Sequence, residues 1–137
     1  MQSICAKLTA AAGRNTAIGF GDWGNYDPTG TITKSPAGPV KQLEAQLKRF
    51  CKVVSIPEFR TSKIHSKPTY RHTLTNQVSQ RLCRDGFVRN MRVHSVLHCR
   101  TSGCGMTVNR DANASVNMLE LLRAELEGRS RPAVFCR

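Results

Sequence analysis

Two cysteines separated by a short glycine-bearing turn carry the most specific chemical signal in the sequence. Cys99 and Cys104 enclose the segment Cys-Arg-Thr-Ser-Gly-Cys, and Gly105 follows. Two thiolates on one tight turn supply half of the tetrahedral ligand set that Zn²⁺ takes in structural sites. Two small buried cysteines in a turn would give the same pattern without any metal. A zinc site therefore needs further ligands from elsewhere in the chain.

The candidates for those further zinc ligands are histidines and one more cysteine. We rank His65 first, because it lies three residues before Pro68, which is the spacing of half a zinc site of the Cys-x-x-Cys type. Cys83 ranks second. The other available side chains are His72, His94 and His98. A histidine in a basic loop is more often exposed than metal-bound, so the sequence does not define a full set of four ligands.

Two carboxylates are candidates for binding a different metal ion. Asp111 begins a predicted helix in the run Arg-Asp-Ala-Asn-Ala, and Glu58 directly follows a predicted strand. Mg²⁺ takes oxygen ligands, and a two-metal phosphodiester site uses such a pair of acids. Each acid also has a simpler explanation. Asp111 complements the helix dipole, and Glu58 forms a surface salt bridge with Arg60 or Lys63.

The helix that begins near Asp111 has a predicted apolar face, and Gly128 is predicted to end it. The apolar positions are Val116, Leu119, Leu122 and Leu126. Asn113 and Asn117 are four residues apart, which puts two amides on one face of this helix. These amides are expected either to pack near the acidic site or to bond to neighbouring loops.

The elements upstream predict a parallel pair of strands. A buried strand is predicted at Thr16–Phe20, an amphipathic helix from Pro39 to about Cys51, and a strand at Lys52–Ile56. Strands joined through a helix pair in parallel, so Glu58 is expected at the carboxyl edge of the sheet, where sites form in α/β proteins. Residues 59–91 look irregular, and Met91–His98 alternates as a strand does.

Positive charge is concentrated in the middle of the chain. Residues 41–110 hold 14 lysines and arginines but three acids, and the net charge of the whole chain is +12. Such a surface suits nucleic acid or an anionic membrane, although a solvated surface has the same composition. The sequence has no secretory signal and no long apolar run, which predicts an intracellular protein that is not secreted, in the nucleus or the cytoplasm. Its six cysteines are then expected to be reduced.

Several segments resemble one nuclease family. Residues 109–118, NRDANASVNM, resemble the last RuvC motif of TnpB proteins, of their eukaryotic and viral relatives the Fanzors, and of type V CRISPR effectors. Residues 58–63, EFRTSK, are similar to the Thr-Ser-Lys stretch before the family's first zinc half-site, with the acid placed as in Fanzors. Residues 17–24 lack a Glu, which is also Fanzor-like, and residues 131–137 resemble the family's C-terminal end.

The resemblance implies an α/β fold with a partial RuvC/RNase H-like sheet and a crossover helix. A small zinc-ribbon insertion interrupts this sheet, and a C-terminal helix closes it. The implied boundaries are a poorly patterned N-terminus at 1–15, a partial RuvC domain at 16–63 and 109–128, a nucleic-acid-binding zinc ribbon at 64–108, and a tail at 129–137.

The function that the resemblance implies is that of a DNA-binding C-terminal fragment of a transposon-associated, RNA-guided DNA endonuclease. Its partners would be DNA and, as a further candidate, guide RNA. Mg²⁺ would bind Glu58 and Asp111, and Zn²⁺ would bind His65, Cys99 and Cys104. The predicted phosphate contacts are Arg60, Lys63, Lys67, Arg71, Arg100 and Arg110.

Two departures from the family pattern limit this expectation. Pro68 stands where the family has a zinc-binding Cys, so water or Cys83 would have to be the fourth ligand. No residue matches the family's first catalytic Asp, and Asp22 is a weak substitute for it. The chain alone is therefore expected to be inactive unless another chain supplies the missing RuvC strands. The alternatives are a stand-alone basic zinc ribbon that binds nucleic acid and a decayed fragment without function.

Overall fold

The computed structural model describes residues 2–10, 15–22 and 40–137. The chain divides into two compact units, Met1–Glu58 and Phe59–Arg137. The chain contains both helices and strands, one sheet is parallel and the other antiparallel, and the predicted α/β class is confirmed. None of the helices in the described ranges combines the length and the apolar character that a membrane crossing requires.

The first unit contains a two-stranded parallel sheet. Its elements are α1 (Gln2–Ala10), β1 (Ala17–Asp22), α2 (Val40–Leu47) and β2 (Lys52–Pro57). The strands pair in register over their full length, from Ala17 opposite Lys52 to Asp22 opposite Pro57. The predicted parallel pairing is confirmed, and Glu58 follows β2 directly at the carboxyl edge of this sheet.

Helix α1 falls in the poorly patterned segment 1–15, for which the sequence predicted no element. Cys5 and Thr9 are buried and lie one helical turn apart, and the Thr9 hydroxyl donates to the Cys5 carbonyl at 3.0 Å. Helix α1 contacts α2. Burial, together with the nearby Cys5 thiol, raises the pKa of Cys51. Two buried positions are too few to give a recognisable helical period in a sequence.

The second unit contains a three-stranded antiparallel sheet and a long helix. The sheet consists of β3 (Thr75–Leu82), β4 (Val88–His98) and β5 (Thr107–Asn109), with β4 in the middle. Helix α3 (Arg110–Leu126) follows β5 without a loop. Short 3-10 helices lie at Pro68–Tyr70 and Ala133–Phe135.

The β3–β4 hairpin corrects the prediction that residues 59–91 are irregular. Its turn contains Asp85 and Gly86, and Gly86 has a φ of +81°, which glycine adopts without Cβ strain. The backbone N–H of Cys83 donates to the Phe87 carbonyl at 2.9 Å, and the Asp85 carboxylate accepts from the Phe87 N–H at 3.2 Å. An Asp-Gly pair is a strong hairpin signal, but the polar composition of β3 conceals the flanking strand.

Helix α3 has the predicted ends but not the predicted apolar face. The side chain of Asn109 caps its first turn, and Gly128, with a φ of +67°, follows its C-terminal end. Three of the four predicted core residues are exposed: Val116, Leu119 and Leu126. The buried residues are Asn113, Asn117, Leu121, Leu122 and Ala124. Only Leu122 belongs to both sets, because polar contacts made by the two asparagines turn a different side of the helix inward.

Candidate metal centre

The C-x4-C turn begins where β4 ends. The backbone N–H of Cys104 donates to the Thr101 carbonyl at 3.0 Å, which closes the turn. Gly103 and Gly105 have φ angles of +81° and +58°, which side chains other than glycine rarely adopt. Two glycines in these conformations allow the chain to reverse within a few residues, and the turn brings the Cys99 and Cys104 thiols close together.

His65 lies on a loop that precedes β3 and closes on itself. The backbone N–H of His65 donates to the His72 carbonyl at 3.0 Å, and the N–H of Leu74 donates to the Lys63 carbonyl at 2.7 Å. The histidine side chain is only 1% exposed. A buried imidazole needs polar partners, because its nitrogens cannot reach solvent.

The three predicted zinc ligands meet at one point. The nearest ligand atoms of His65, Cys99 and Cys104 all lie within 4.8 Å of one another. The Nε2 atom of His65 is 3.5 Å from the Sγ atom of Cys104. A Zn–N bond of about 2.0 Å and a Zn–S bond of about 2.3 Å at a tetrahedral angle place N and S about 3.5 Å apart, so this pair already has the spacing of a zinc site. Leu74 and Leu97 pack in the same cluster as Cys99.

The protonation states at this centre favour metal binding. Burial raises the pKa of the Cys99 thiol, but hydrogen bonds from the side chain and backbone of Thr101 and from Cys104 together outweigh burial, and the net pKa is lowered. Burial, and then the charge of Lys67, lower the pKa of His65. A thiol that ionises more readily and an imidazole that stays neutral are the forms that bind Zn²⁺.

One hydrogen bond at the histidine competes with metal binding. The backbone N–H of Lys67 donates to Nδ1 of His65 at 3.0 Å, so a neutral ring carries its proton on Nε2 and directs it at the Cys104 sulfur. A metal on Nε2 moves that proton to Nδ1, and a metal on Nδ1 displaces the Lys67 N–H. Either mode of binding therefore gives up this backbone hydrogen bond, worth about 1 kcal/mol.

No fourth His, Cys, Asp or Glu joins this group in the ranges that the structure describes. Pro68, three residues after His65, begins a 3-10 helix and has no ligand atom. Cys83 lies in the turn at the far end of the hairpin, and the eight residues of β3 separate it from the centre. At about 3.3 Å per strand residue this distance exceeds about 20 Å, so the structure excludes Cys83 as the fourth ligand.

Two amides of α3 hold the loop that carries the histidine. The side-chain N–H₂ of Asn113 donates to the Ile64 carbonyl at 2.7 Å, and its carbonyl accepts from the backbone N–H of Ser66 at 2.8 Å. Asn117 donates to the carbonyls of Thr61 and Ile64, both at 2.8 Å. Both asparagines are buried. Of the two expectations for this amide pair, bonding to a neighbouring loop is the one observed.

Four of the predicted phosphate contacts are exposed side chains near the metal ligands in sequence. They are Lys63, Lys67, Arg100 and Arg110. Lys67 lies two residues after the histidine ligand, and Arg100 lies inside the C-x4-C turn. These positions place cationic side chains in both segments that supply metal ligands.

The remaining two predicted phosphate contacts have partners within the protein. Arg60 has a φ of +61°, and its guanidinium donates to the Thr73 hydroxyl at 3.1 Å. Arg71 forms an ion pair with Glu120 and lies over the Phe135 ring, 5.7 Å from its centroid. Arg71 thus ties the loop to α3 and to the C-terminal segment, and its role in nucleic-acid binding stays a prediction.

The two predicted catalytic acids lie in different units. Glu58 ends the first unit, where a Cβ atom added to Gly21 would come within 1.7 Å of its Oε1 atom. A larger residue at position 21 would therefore require the exposed Glu58 side chain to move. Asp111 is exposed in the first turn of α3 in the second unit, and Asp22 is the last residue of β1. That Glu58 and Asp111 share Mg²⁺ stays a prediction.

No protein-family model matches this chain, and no curated protein matches it. The family resemblance therefore depends on the quoted motifs, and the metal centre depends on the geometry described above.

Proposed function

We propose that this chain is the DNA-binding C-terminal part of a TnpB/Fanzor-like, RNA-guided DNA endonuclease, with a zinc ribbon in its second unit. One observation carries the proposal. Helix α3 begins in the RuvC-like motif, and its amide pair, Asn113 and Asn117, holds the loop on which His65 lies. The acidic motif and the metal ligands are thus parts of one packed unit, as a shared origin would require.

The zinc ion in this proposal has a structural role. His65, Cys99 and Cys104 would hold it, and water would take the fourth position. When bound, zinc would join the loop before β3 to the turn after β4, which are otherwise connected through a small buried cluster and a hydrogen bond from the Tyr70 hydroxyl to the Gly103 carbonyl. Structural zinc contributes directly to the free energy of folding.

Nucleic acid is the partner best supported by the charges around this centre. Lys63 and Lys67 lie on the histidine loop, and Arg100 lies on the cysteine turn, all of them exposed. Cations that contact phosphates release counterions, so binding should weaken steeply as salt rises. A merely solvated surface would show no such affinity.

The nuclease part of the proposal concerns the two acids. Glu58 and Asp111 would hold Mg²⁺, which would supply Lewis-acid activation of a DNA phosphodiester. No residue of the chain matches the family's first Asp, so these residues by themselves are expected not to cleave DNA. A chain that supplies the missing RuvC strands is the partner that would restore activity. The half-exposed apolar residues Val116 and Leu119 on α3 support such a partner.

The first experiment measures metal content and binding in the purified chain. We expect about one zinc per chain by elemental analysis, and salt-dependent binding to labelled DNA by fluorescence anisotropy. A metal-free, folded protein with the same affinity for DNA would contradict the role of zinc. Affinity that does not change with salt would contradict phosphate binding.

A stand-alone nucleic-acid-binding zinc ribbon is the second candidate, favoured because the metal centre and its cations all lie in the second unit. Asp111→Ala separates the two functions. In the stand-alone module this change leaves DNA affinity unchanged or slightly higher, since it removes a negative charge. In the nuclease it removes a Mg²⁺ ligand. Robust Mg²⁺-dependent cleavage of single-stranded DNA by the chain alone, abolished by Asp111→Ala, would overturn the expected inactivity.

A further inference from the structure

The tip of the β3–β4 hairpin, residues 82–88, exposes three large apolar side chains. Leu82 is 74% exposed, Phe87 68% and Val88 61%. Leu82 and Val88 are directly opposite each other in the register, so they lie on the same face of the ribbon. Neither the metal centre nor the proposed nuclease site uses these residues. Exposed apolar side chains that cluster on a protein surface often mark a binding site.

Arginines surround this apolar tip. Arg81 and Arg89 are directly opposite each other on neighbouring strands, an arrangement that destabilises a hairpin unless an anion lies between or above the two charges. Asp85 forms an ion pair with Arg89 at 2.6 Å. Among the residues that the structure describes, Arg81 and Arg84 form no ion pair. The hairpin therefore keeps uncompensated positive charge beside its apolar tip.

The ribbon also has an open depression that reaches Arg81. The strand register shifts between Asn76 and Gln77, which is a bulge in the β3–β4 pairing. An open depression of about 320 Å³ lies along the ribbon, and Arg81, Arg92 and His94 are among the residues that line it. One of the tip's arginines thus borders this depression.

We propose that the hairpin tip binds single-stranded nucleic acid, with Phe87 stacked on an unpaired base and Arg81 on an adjacent phosphate. Surfaces that bind single strands combine aromatic rings, on which the bases stack, with a basic groove that contacts the phosphate backbone. Base pairs would have to open before Phe87 could stack, which favours single strands over duplex. This inference rests on the proposed function only in that the partner is a nucleic acid.

The experiment compares variants of the full chain in binding to a labelled oligothymidylate by fluorescence anisotropy. Phe87→Ala should weaken binding at least about fivefold without changing the salt dependence, because it removes stacking but no charge. Arg81→Gln should lower the slope of log affinity against log salt by about one. Leu126→Ala is the matched control, since Leu126 is also an exposed apolar residue (43%) but lies on α3. It should bind as the wild type does.

A spectroscopic measurement reports stacking itself. The chain has one tryptophan, Trp23, so Phe87→Trp in a Trp23→Phe background puts the only indole at the tip. Stacking on thymine should quench its fluorescence, with the same midpoint as the anisotropy titration. Circular dichroism checks that each variant is folded.

The outcomes separate this inference from the proposed function. The hairpin site is overturned if Phe87→Ala binds as tightly as the wild type, or if the oligonucleotide does not quench the indole fluorescence. Salt-dependent binding at other surfaces would still stand in either case. The hairpin site is also overturned if Phe87→Ala weakens binding to a blunt duplex as much as it weakens binding to the oligothymidylate. Binding of the tip to anionic phospholipid vesicles in place of the oligonucleotide would overturn it as well. A wild-type chain that binds no nucleic acid at all contradicts both proposals.

Discussion

The two ends of one antiparallel ribbon differ sharply in their surroundings. At the end that carries the metal ligands, Leu97 is 4% exposed, and Cys99 and His65 are each 1% exposed. At the other end Leu82 and Phe87 are 74% and 68% exposed. Strand β4 runs through both ends, so the difference does not come from the strand itself.

Neighbouring elements cause the difference. Strand β5 pairs only with Val96–His98 of β4, and α3 holds the loop that carries His65. Beyond these contacts the hairpin is a two-stranded ribbon, which is marginally stable by itself in water. The buried end therefore contributes the stability, and the exposed end is available for binding. Changes at one end should leave the property of the other end intact.

The largest expected difference between the two ends concerns their cysteines. Cys99→Ser removes a thiolate ligand and should weaken zinc binding by more than about 100-fold, because even partners behind the ligands contribute up to about that much. Cys83→Ser at the tip should bind zinc as the wild type does. Elemental analysis and titration with a chelating dye measure both. Equal loss of zinc in the two variants would remove the distinction between the ends.

A pair of leucines tests the same distinction through folding. Leu97→Ala should lower the free energy of unfolding by about 2–5 kcal/mol, because it leaves a cavity in the buried cluster. Leu82→Ala should change it by no more than about 0.5 kcal/mol, since the side chain is already in solvent. Urea unfolding of the zinc-loaded protein gives both values. A destabilising Leu82→Ala would mean that the tip packs against something in solution.

The amide pair gives the next largest effect. Asn113→Ala leaves the partly buried N–H of Ser66 without its acceptor and should cost about 1–3 kcal/mol of stability. Ser115→Ala is the control, because Ser115 lies on the same helix and its hydroxyl bonds only at the exposed side, to the Asp111 carbonyl. Thermal unfolding with and without zinc compares the two. If the variants melt together, α3 does not position the histidine loop.

The smallest effect is a gain at the metal centre. Pro68→Cys adds a thiolate three residues after His65 and should tighten zinc binding by about tenfold, or about 1.4 kcal/mol, by completing a four-ligand set. Pro68→Ala controls for the loss of the proline ring and should leave zinc binding close to that of the wild type. Competition with a chelating dye measures both. Equal affinities for the two variants would place position 68 too far from the metal.

Local signals predicted part of the molecule well. The C-x4-C turn, the parallel pairing of β1 and β2, and the ends of α3 follow from short-range rules of turns, crossovers and caps. The same rules predicted Val116 and Leu119 as core, which was wrong, because apolar spacing says which residues can be buried but not which neighbours are present. Helix α1 and strand β3 were missed, since polar or short segments have too few apolar positions to show a period.

The sequence by itself determined the chemistry that this protein has available: a pair of thiols on a glycine turn, a histidine upstream, two acids and a large excess of positive charge. Only the tertiary structure decided which of these residues act together. It joined His65 to Cys99 and Cys104 across more than thirty residues of chain and left Cys83 at the far end of the hairpin. The physical reason is that buried amides of α3 fix the histidine loop through its backbone, and such contacts depend on packing that no local spacing encodes.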